Sequence, residues 1–129
     1  MVARDVMTRE VITVSPSITV KELARVLIRN RISGVPVVSP RGKILGVVSE
    51  ADIVAKKGRQ AGDIMSKDVL SISEETPVEE IAALMTTHKI KRAPVMRGKE
   101  LVGIVSRADI VRAIAMGQHI ALHTPIYDL

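Results

Sequence analysis

The sequence has no cysteine, no tryptophan and no phenylalanine, and its one tyrosine, Tyr127, stands third from the end. Without cysteine there are no disulfides, thiol nucleophiles, iron–sulfur clusters or Cys-type zinc sites, so any chemistry falls to other side chains. Without rings there is no platform for stacking successive bases, which argues against a reader of single strands or RNA. No apolar run approaches the roughly 18 to 20 residues that cross a bilayer. Met1-Val2-Ala3-Arg4-Asp5 lacks the basic-then-apolar layout of a secretory signal. A cytoplasmic protein with no membrane partner is the expectation. Also missing are a Ser-His-Asp order and a carboxylate pair at catalytic spacing, and Gly42-Lys43 and Gly98-Lys99 lack the rest of a P-loop and read as turns. The residues do not suggest an enzyme.

What is present suffices for a fold. The 129 residues are 47% apolar and 26% charged, a balance that builds a core in one compact domain or in two fused halves of about 60 residues. The formal charge of +5 is interspersed with 14 acids, as on an ordinary solubilising surface, and leaves room for a local anion or phosphate site.

Comparing the chain with itself shows two copies of one unit. Asp5-Val6-Met7-Thr8 recurs as Asp63-Ile64-Met65-Ser66, and Val20-Lys21-Glu22-Leu23-Ala24 as Val78-Glu79-Glu80-Ile81-Ala82. Ile32-Ser33-Gly34-Val35-Pro36-Val37 is answered by Ile90-Lys91-Arg92-Ala93-Pro94-Val95. One residue is lost near Gly98, after which Gly46-Val47-Val48-Ser49-Glu50-Ala51-Asp52-Ile53-Val54 matches Gly103-Ile104-Val105-Ser106-Arg107-Ala108-Asp109-Ile110-Val111.

Each copy predicts the same elements. Val11-Ile12-Thr13-Val14 is a β-branched run, hence a strand, followed by turn chemistry at Ser15-Pro16-Ser17. Thr19 and Glu22 form a capping box for a helix with Val20, Leu23, Ala24 and Leu27 on one face. In the second copy Pro77 takes the first helical position, and Val78, Ile81, Ala82 and Met85 form the stripe. These stripes are core. Hairpins follow around Pro40-Arg41-Gly42 and Arg97-Gly98-Lys99, then closing helices from Ser49 and Ser106. A linker is expected over residues 56–62. The fold class is mixed α/β (α+β): a β-α-β-β-α order twice, the two repeats packed about a pseudo-two-fold axis. The expected boundaries are 1–58, 59–117 and a tail at 118–129.

The Met-Thr lead-in, the run Asn30-Arg31-Ile32-Ser33-Gly34-Val35-Pro36-Val37-Val38 and the closing Gly-Val-Val-Ser-x-x-Asp-Ile resemble the cystathionine beta-synthase (CBS) domain. The resemblance covers residues 3 to 116, and the order, spacing and duplication of the motifs make it specific. It implies a pair of such domains, often called a Bateman module, that senses adenosine compounds in clefts between the repeats. It implies regulation by AMP, ADP or ATP and no cofactor.

Residue by residue, the resemblance assigns ribose binding to Asp52 and Asp109, and ribose or phosphate contact to Ser49 and Ser106. Each Ser-x-x-Asp is also a capping box in its own right, and both roles can hold together. With no ring available, a purine is sandwiched by aliphatic side chains, which suits Ile12, Ile32, Leu70 and Ile90, although each also reads as plain core. Family geometry groups Thr8, Ile12, Thr13, Ile32 and Ser33 with Ser106 and Asp109. It groups Ser66, Leu70, Ser71, Ile90 and Lys91 with Ser49 and Asp52. Where the first repeat has Ser33-Gly34 the second has Lys91-Arg92, and by resemblance to regulatory subunits of AMP-activated protein kinases this basic pair reaches phosphate. It also reads as a solvated pair after a helix, and Lys89 or Arg31 could share the role.

His119 and His123 have the i, i+4 spacing of two metal ligands on a helix, but with no third ligand nearby and Pro125 in the tail no metal is expected. His88 suits a helix end. The expected function is an adenine-nucleotide sensor signalling to an unknown effector protein. The alternatives are a structural or dimerisation module with empty clefts, an S-adenosylmethionine binder and a basic nucleic-acid binder. A homodimer is expected, because helices over residues 78–88 and 107–116 offer apolar edges and family members resemble dimers of pairs.

Overall fold

The computed structural model describes residues 1–116. Its elements are α1 (Ala3–Val6), α2 (Val20–Asn30), β1 (Gly34–Val38), β2 (Ile44–Ser49), α3 (Glu50–Ala55) and α4 (Ala61–Ile64). They are followed by β3 (Ile72–Ser73), α5 (Val78–His88), β4 (Arg92–Arg97), β5 (Glu100–Ser106) and α6 (Arg107–Ala115). Tyr127, His119, His123 and the tail at 118–129 lie outside the described residues. Among the described residues no helix is long and apolar enough to cross a membrane.

The chain folds as two compact units that do not begin where the sequence repeats begin. A central unit comprises Ile12–Val69, and an outer unit joins Met1–Val11 to the chain from Leu70 onward. Each unit therefore completes one repeat with a lead-in segment whose sequence opens the other.

In the central unit, α2 starts where Thr19 Oγ1 accepts the amide of Glu22 at 3.2 Å. Only half of the expected capping box forms, because the Glu22 carboxylate pairs with Arg25 one turn on. The helix stops at Arg31, whose left-handed backbone (φ 54°) turns the chain into β1. Leu23 and Leu27 are buried with Val35, Val37 and Val48 of the hairpin and with Ala61 and Ile64 of α4. The expected strand over residues 11–14 contracts to one parallel bridge, Val14 to Val37. Ile12 and Thr13 remain exposed, so only Val14 has a packing reason to join the sheet. Thr19→Ala is expected to cost about 1 kcal/mol of stability by removing the cap, measurable in denaturant unfolding as a lower midpoint at unchanged slope.

The outer unit repeats the plan. Val78, Ile81 and Met85 of α5 are buried with Val95 and Val105, and Ala3 and Met7 of the lead-in complete the core. Here the first strand does form, as two-residue β3 parallel to β4. Pro77 sits at the N-cap with ψ 141°, one position before the helical backbone begins at Val78.

The short helices α1 and α4 were not expected, and α4 begins inside the expected linker. Each is a single turn fixed by one acid: Asp5 Oδ2 accepts the amide of Val2 at 2.8 Å, and Asp63 Oδ2 that of Gln60 at 3.0 Å. Four residues are too few to show a helical period.

Candidate functional site

The site residues gather where strand hands over to helix. In the outer unit β5 ends at Ser106, directly across the ladder from Arg92. In the central unit β2 ends at Ser49, across from Gly34. Both Ser-x-x-Asp motifs form complete capping boxes. Asp109 Oδ2 accepts the Ser106 amide at 2.8 Å and its hydroxyl at 3.0 Å, while the Asp109 amide donates to Ser106 Oγ at 3.2 Å. Asp52 repeats the pattern on Ser49 at 2.9, 3.2 and 3.4 Å. One oxygen of each acid is thus spent on the helix start, and the other, Oδ1, faces side chains beyond the capping box.

That second oxygen differs between the units. Asp109 Oδ1 accepts Thr8 Oγ1 at 3.3 Å and Arg112 at 3.0 Å, with Asp109 5% exposed and the Arg112 side chain 63% exposed. A cation so open to water is held weakly and yields its place at little cost. Asp52 Oδ1 instead takes Lys56 Nζ at 2.9 Å, and Lys56 also donates to the Ile64 carbonyl at 3.1 Å. Burial pushes the Asp52 carboxyl up, but the hydrogen bond and charge of Lys56 and the bonds from Ser49 outweigh it and hold the group below its ordinary 3.8. It is therefore anionic at neutral pH. Arg112 and Lys56 were not singled out in the sequence, although their i+3 and i+4 spacing from each acid is the signal that finds them.

Thr8 reaches Asp109 because the lead-in crosses β5. The Thr8 amide donates to the Ile104 carbonyl at 2.8 Å and the Ile104 amide to the Thr8 carbonyl at 3.0 Å. Ser66 and Val47 exchange the same pair at 2.9 Å each. This crossing requires glycine. A Cβ on Gly46 would stand 2.6 Å from the Ser66 carbonyl oxygen, and one on Gly103 2.5 Å from the Met7 sulfur and 3.0 Å from the Thr8 carbonyl oxygen.

The start of each closing helix is tied to the segment before the hairpin. The Arg107 amide donates to the Lys91 carbonyl at 3.0 Å, and the Glu50 amide to the Ser33 carbonyl at 2.9 Å. The outer unit therefore brings Thr8, Lys91, Arg92, Ser106 and Asp109 to one end, together with Ile90, Leu70 and Ser71 from the same unit. The central unit holds Ile12, Thr13, Ile32, Ser33, Ser49, Asp52 and Ser66. None of the four aliphatic candidates is fully buried: Ile12 is 36% exposed, Leu70 is partly buried, and Ile32 and Ile90 are partly buried against the cores of their units.

A groove of about 480 Å³ opens on the central unit between α2 and α3, lined by Ala24, Leu27, Ile28, Ile32, Ile53 and Val54 with Arg31, Ser33 and Glu50 at its polar edge. Ile28 is 80% exposed and Val54 88%. Among the described residues of the outer unit the exposed large apolar side chains are Met1, Val111 on α6 and Met116 just beyond it, whereas Val78, Ile81 and Met85 of α5 are buried in its core. Ala82 and Leu84 of α5 are only partly buried against that core. No group of three or more His, Asp or Glu side chains placed to hold a metal occurs among the described residues.

The family model for the CBS domain matches the chain twice, over residues 3–58 and 61–116. Inosine-5'-monophosphate dehydrogenase of Methanocaldococcus jannaschii is 35% identical over 113 residues, which are 85% of this chain and 23% of that enzyme. The chain thus spans about a quarter of the length of the first curated relatives it matches. Among solved structures, the CBS domain pair of protein MJ0100 in complex with 5'-methylthioadenosine and S-adenosyl-L-methionine is 29% identical, with a TM-score of 0.85 over 92% of this chain and 98% of that one. CBSX2 of Arabidopsis thaliana in complex with AMP is 28% identical, with a TM-score of 0.85 over 89% and 96%. With two matched repeats covering nearly all its described residues, each built on a Ser-x-x-Asp helix start, the chain belongs to the CBS domain family as a tandem pair.

Proposed function

We propose that this CBS pair is a regulatory module that binds adenosine-containing nucleotides of the AMP, ADP and ATP class and works as a sensor rather than as an enzyme. The observation that carries the reading is the outer unit's convergence of an acceptor and cations. The Asp109 carboxylate, held by Ser106 and Thr8, suits a ribose diol, and Lys91 and Arg92 border it on the adjoining strand and loop. A diol donates two hydrogen bonds to one carboxylate, and phosphate takes charge-assisted bonds from the cations. In the outer unit Leu70 and Ile90, neither of them fully buried, supply apolar surface for a purine, as Ile12 and Ile32 do in the central unit. Two structural relatives were solved with AMP and with S-adenosyl-L-methionine, which supports the adenosine half of the assignment. A ligand bound to the folded state raises the melting temperature in proportion to RT ln(1 + [L]/Kd). The chain is expected to melt higher with AMP, ADP or ATP at millimolar concentration, and an unmoved transition with all three, and with S-adenosylmethionine, contradicts the reading.

A second role is carried by the groove between α2 and α3. Exposed Ile28 and Val54 flank an apolar concavity with Arg31 and Glu50 at its edge. A second copy of the chain across a two-fold axis covers such a face, and the opposite charges of Arg31 and Glu50 at its edge suit a self-complementary contact. Light scattering at micromolar concentration is expected to give a homodimer that Val54→Glu dissociates. A wild-type monomer contradicts it. The proposed localisation is cytoplasmic, and the effector protein is one whose surface distinguishes the liganded module from the empty one.

A further inference from the structure

The charge of the chain is unevenly shared between its units. The central unit carries ten Lys and Arg against five Asp and Glu, whereas the described residues of the outer unit carry nine against eight. The excess gathers on α2. Lys21, Arg25 and Arg29 stand at i, i+4 and i+8, all exposed, and form one stripe along the helix with a rise of about 6 Å from each to the next. The loop before α4 adds to it. The Arg59 carbonyl accepts the Val20 amide at 3.0 Å, which brings Arg59, with Lys57 two residues before it, to the start of the same helix.

Little on this face offsets the cations. Glu22 is the only acid on α2 and pairs with Arg25. Asp63 is occupied by the amides of Arg59 and Gln60, and Lys21, Arg29, Lys57 and Arg59 have no ion-pair partner among the described residues. Nor does the fold demand the stripe. α5 has the same length and buries Ile81 and Met85 as α2 buries Leu23 and Leu27, yet Glu79, Ala83 and Thr87 stand where α2 has its three cations. Like charges one turn apart repel and weaken a helix. Such a row has a compensating use if a partner of opposite charge covers it.

From this placement we infer that the exposed face of α2 is a docking surface for the phosphate backbone of double-stranded nucleic acid. A duplex presents evenly spaced fixed negative charge, about one per 1.7 Å of its axis, which a row of cations meets without reading bases. No aromatic side chain occurs among the described residues, which suits backbone contact and leaves nothing on which bases could stack. An anionic membrane fits less well, because a helix lying in a lipid surface buries an apolar face there. Leu23 and Leu27 are committed to the core, and Ile28, the one exposed large apolar side chain of α2, lines the groove toward α3. The surface uses none of the residues assigned to adenosine.

Fluorescence anisotropy of the full chain with a labelled duplex of random sequence tests this at two salt concentrations, about 50 and 200 mM. Wild-type affinity is expected to fall at least roughly fortyfold between them, as neutralising three phosphates requires. The triple variant Lys21→Glu, Arg25→Ala, Arg29→Thr gives α2 the residues of α5. It is expected to weaken binding at the lower salt by more than about tenfold and to remove most of the salt dependence. The three positions are exposed, so the variant should fold; a melting curve checks this, and glutamine at all three positions replaces it otherwise. Lys43→Glu with Lys99→Glu removes the same net charge from the two hairpin turns and is expected to change affinity by less than about threefold. An equal loss in that variant makes the attraction one of overall charge and overturns the inference. So does a wild-type chain with no saturable binding at the lower salt, or one that binds phosphatidylserine vesicles and not the duplex.

Discussion

Asp109→Asn is expected to weaken AMP binding by about 1.5 to 3 kcal/mol, the cost of replacing a charged acceptor of hydrogen bonds with an amide. Folding stability should fall by about 1 kcal/mol or less. The separation follows from how the two oxygens are used. Oδ2 caps the helix through Ser106, and the amide oxygen of asparagine can accept the same two bonds. Oδ1 faces Thr8 and Arg112, and an NH2 there has lost the acceptor a ribose diol needs. Thr8 can turn its hydroxyl to accept from that NH2, and the exposed Arg112 can swing into water, which keeps the stability cost small. Calorimetry and denaturant unfolding of one preparation read both quantities. Unchanged affinity with a large loss of stability assigns Asp109 to the helix alone.

Replacing Lys91-Arg92 with the Ser-Gly pair of the other repeat is expected to weaken AMP, ADP and ATP by about 1.5 to 3 kcal/mol while largely sparing adenosine. Arg92 lies across the β4–β5 ladder from Ser106 and the Lys91 carbonyl receives the Arg107 amide, so the pair stands beside the carboxylate that holds ribose in this account. Only ligands with phosphate lose charge-assisted bonds. Raising the salt concentration should imitate the substitution in part, because screening acts over about 8 to 10 Å at ordinary ionic strength. Equal losses of adenosine and AMP mean that the pair shapes the purine pocket. No loss of either makes it surface charge.

Much of the fold was legible because it is written twice. The repeated Ser-x-x-Asp marked both helix starts, and the apolar stripes gave the buried faces of α2 and α5, including Leu23, Leu27, Ile81 and Met85. Short features resisted. The run at residues 11–14 has strand propensity throughout, yet only Val14 finds a partner, since tertiary packing rather than propensity decides a four-residue strand. The single-turn helices α1 and α4 carry no period to read. The assignment of lead-ins to units was hidden as well, because no local pattern says that Met1–Val11 completes the core of the unit that resumes at Leu70. At the site, the two serines and two acids were visible as a motif, whereas Arg112 and Lys56 emerged only when the geometry showed them on Oδ1. Nor did the sequence motif alone show why Gly46 and Gly103 precede it. The reason is steric: the lead-in backbone passes within 3.0 Å of where either Cβ would stand.

The central claim is that the chain binds adenosine compounds through Asp109 and its neighbours. Its most direct test is a calorimetric titration of AMP into the wild-type chain, with adenosine and S-adenosylmethionine titrated alongside. The account predicts saturable binding of AMP with higher affinity than adenosine. A chain that unfolds cooperatively yet shows no saturable heat with any of the three contradicts it.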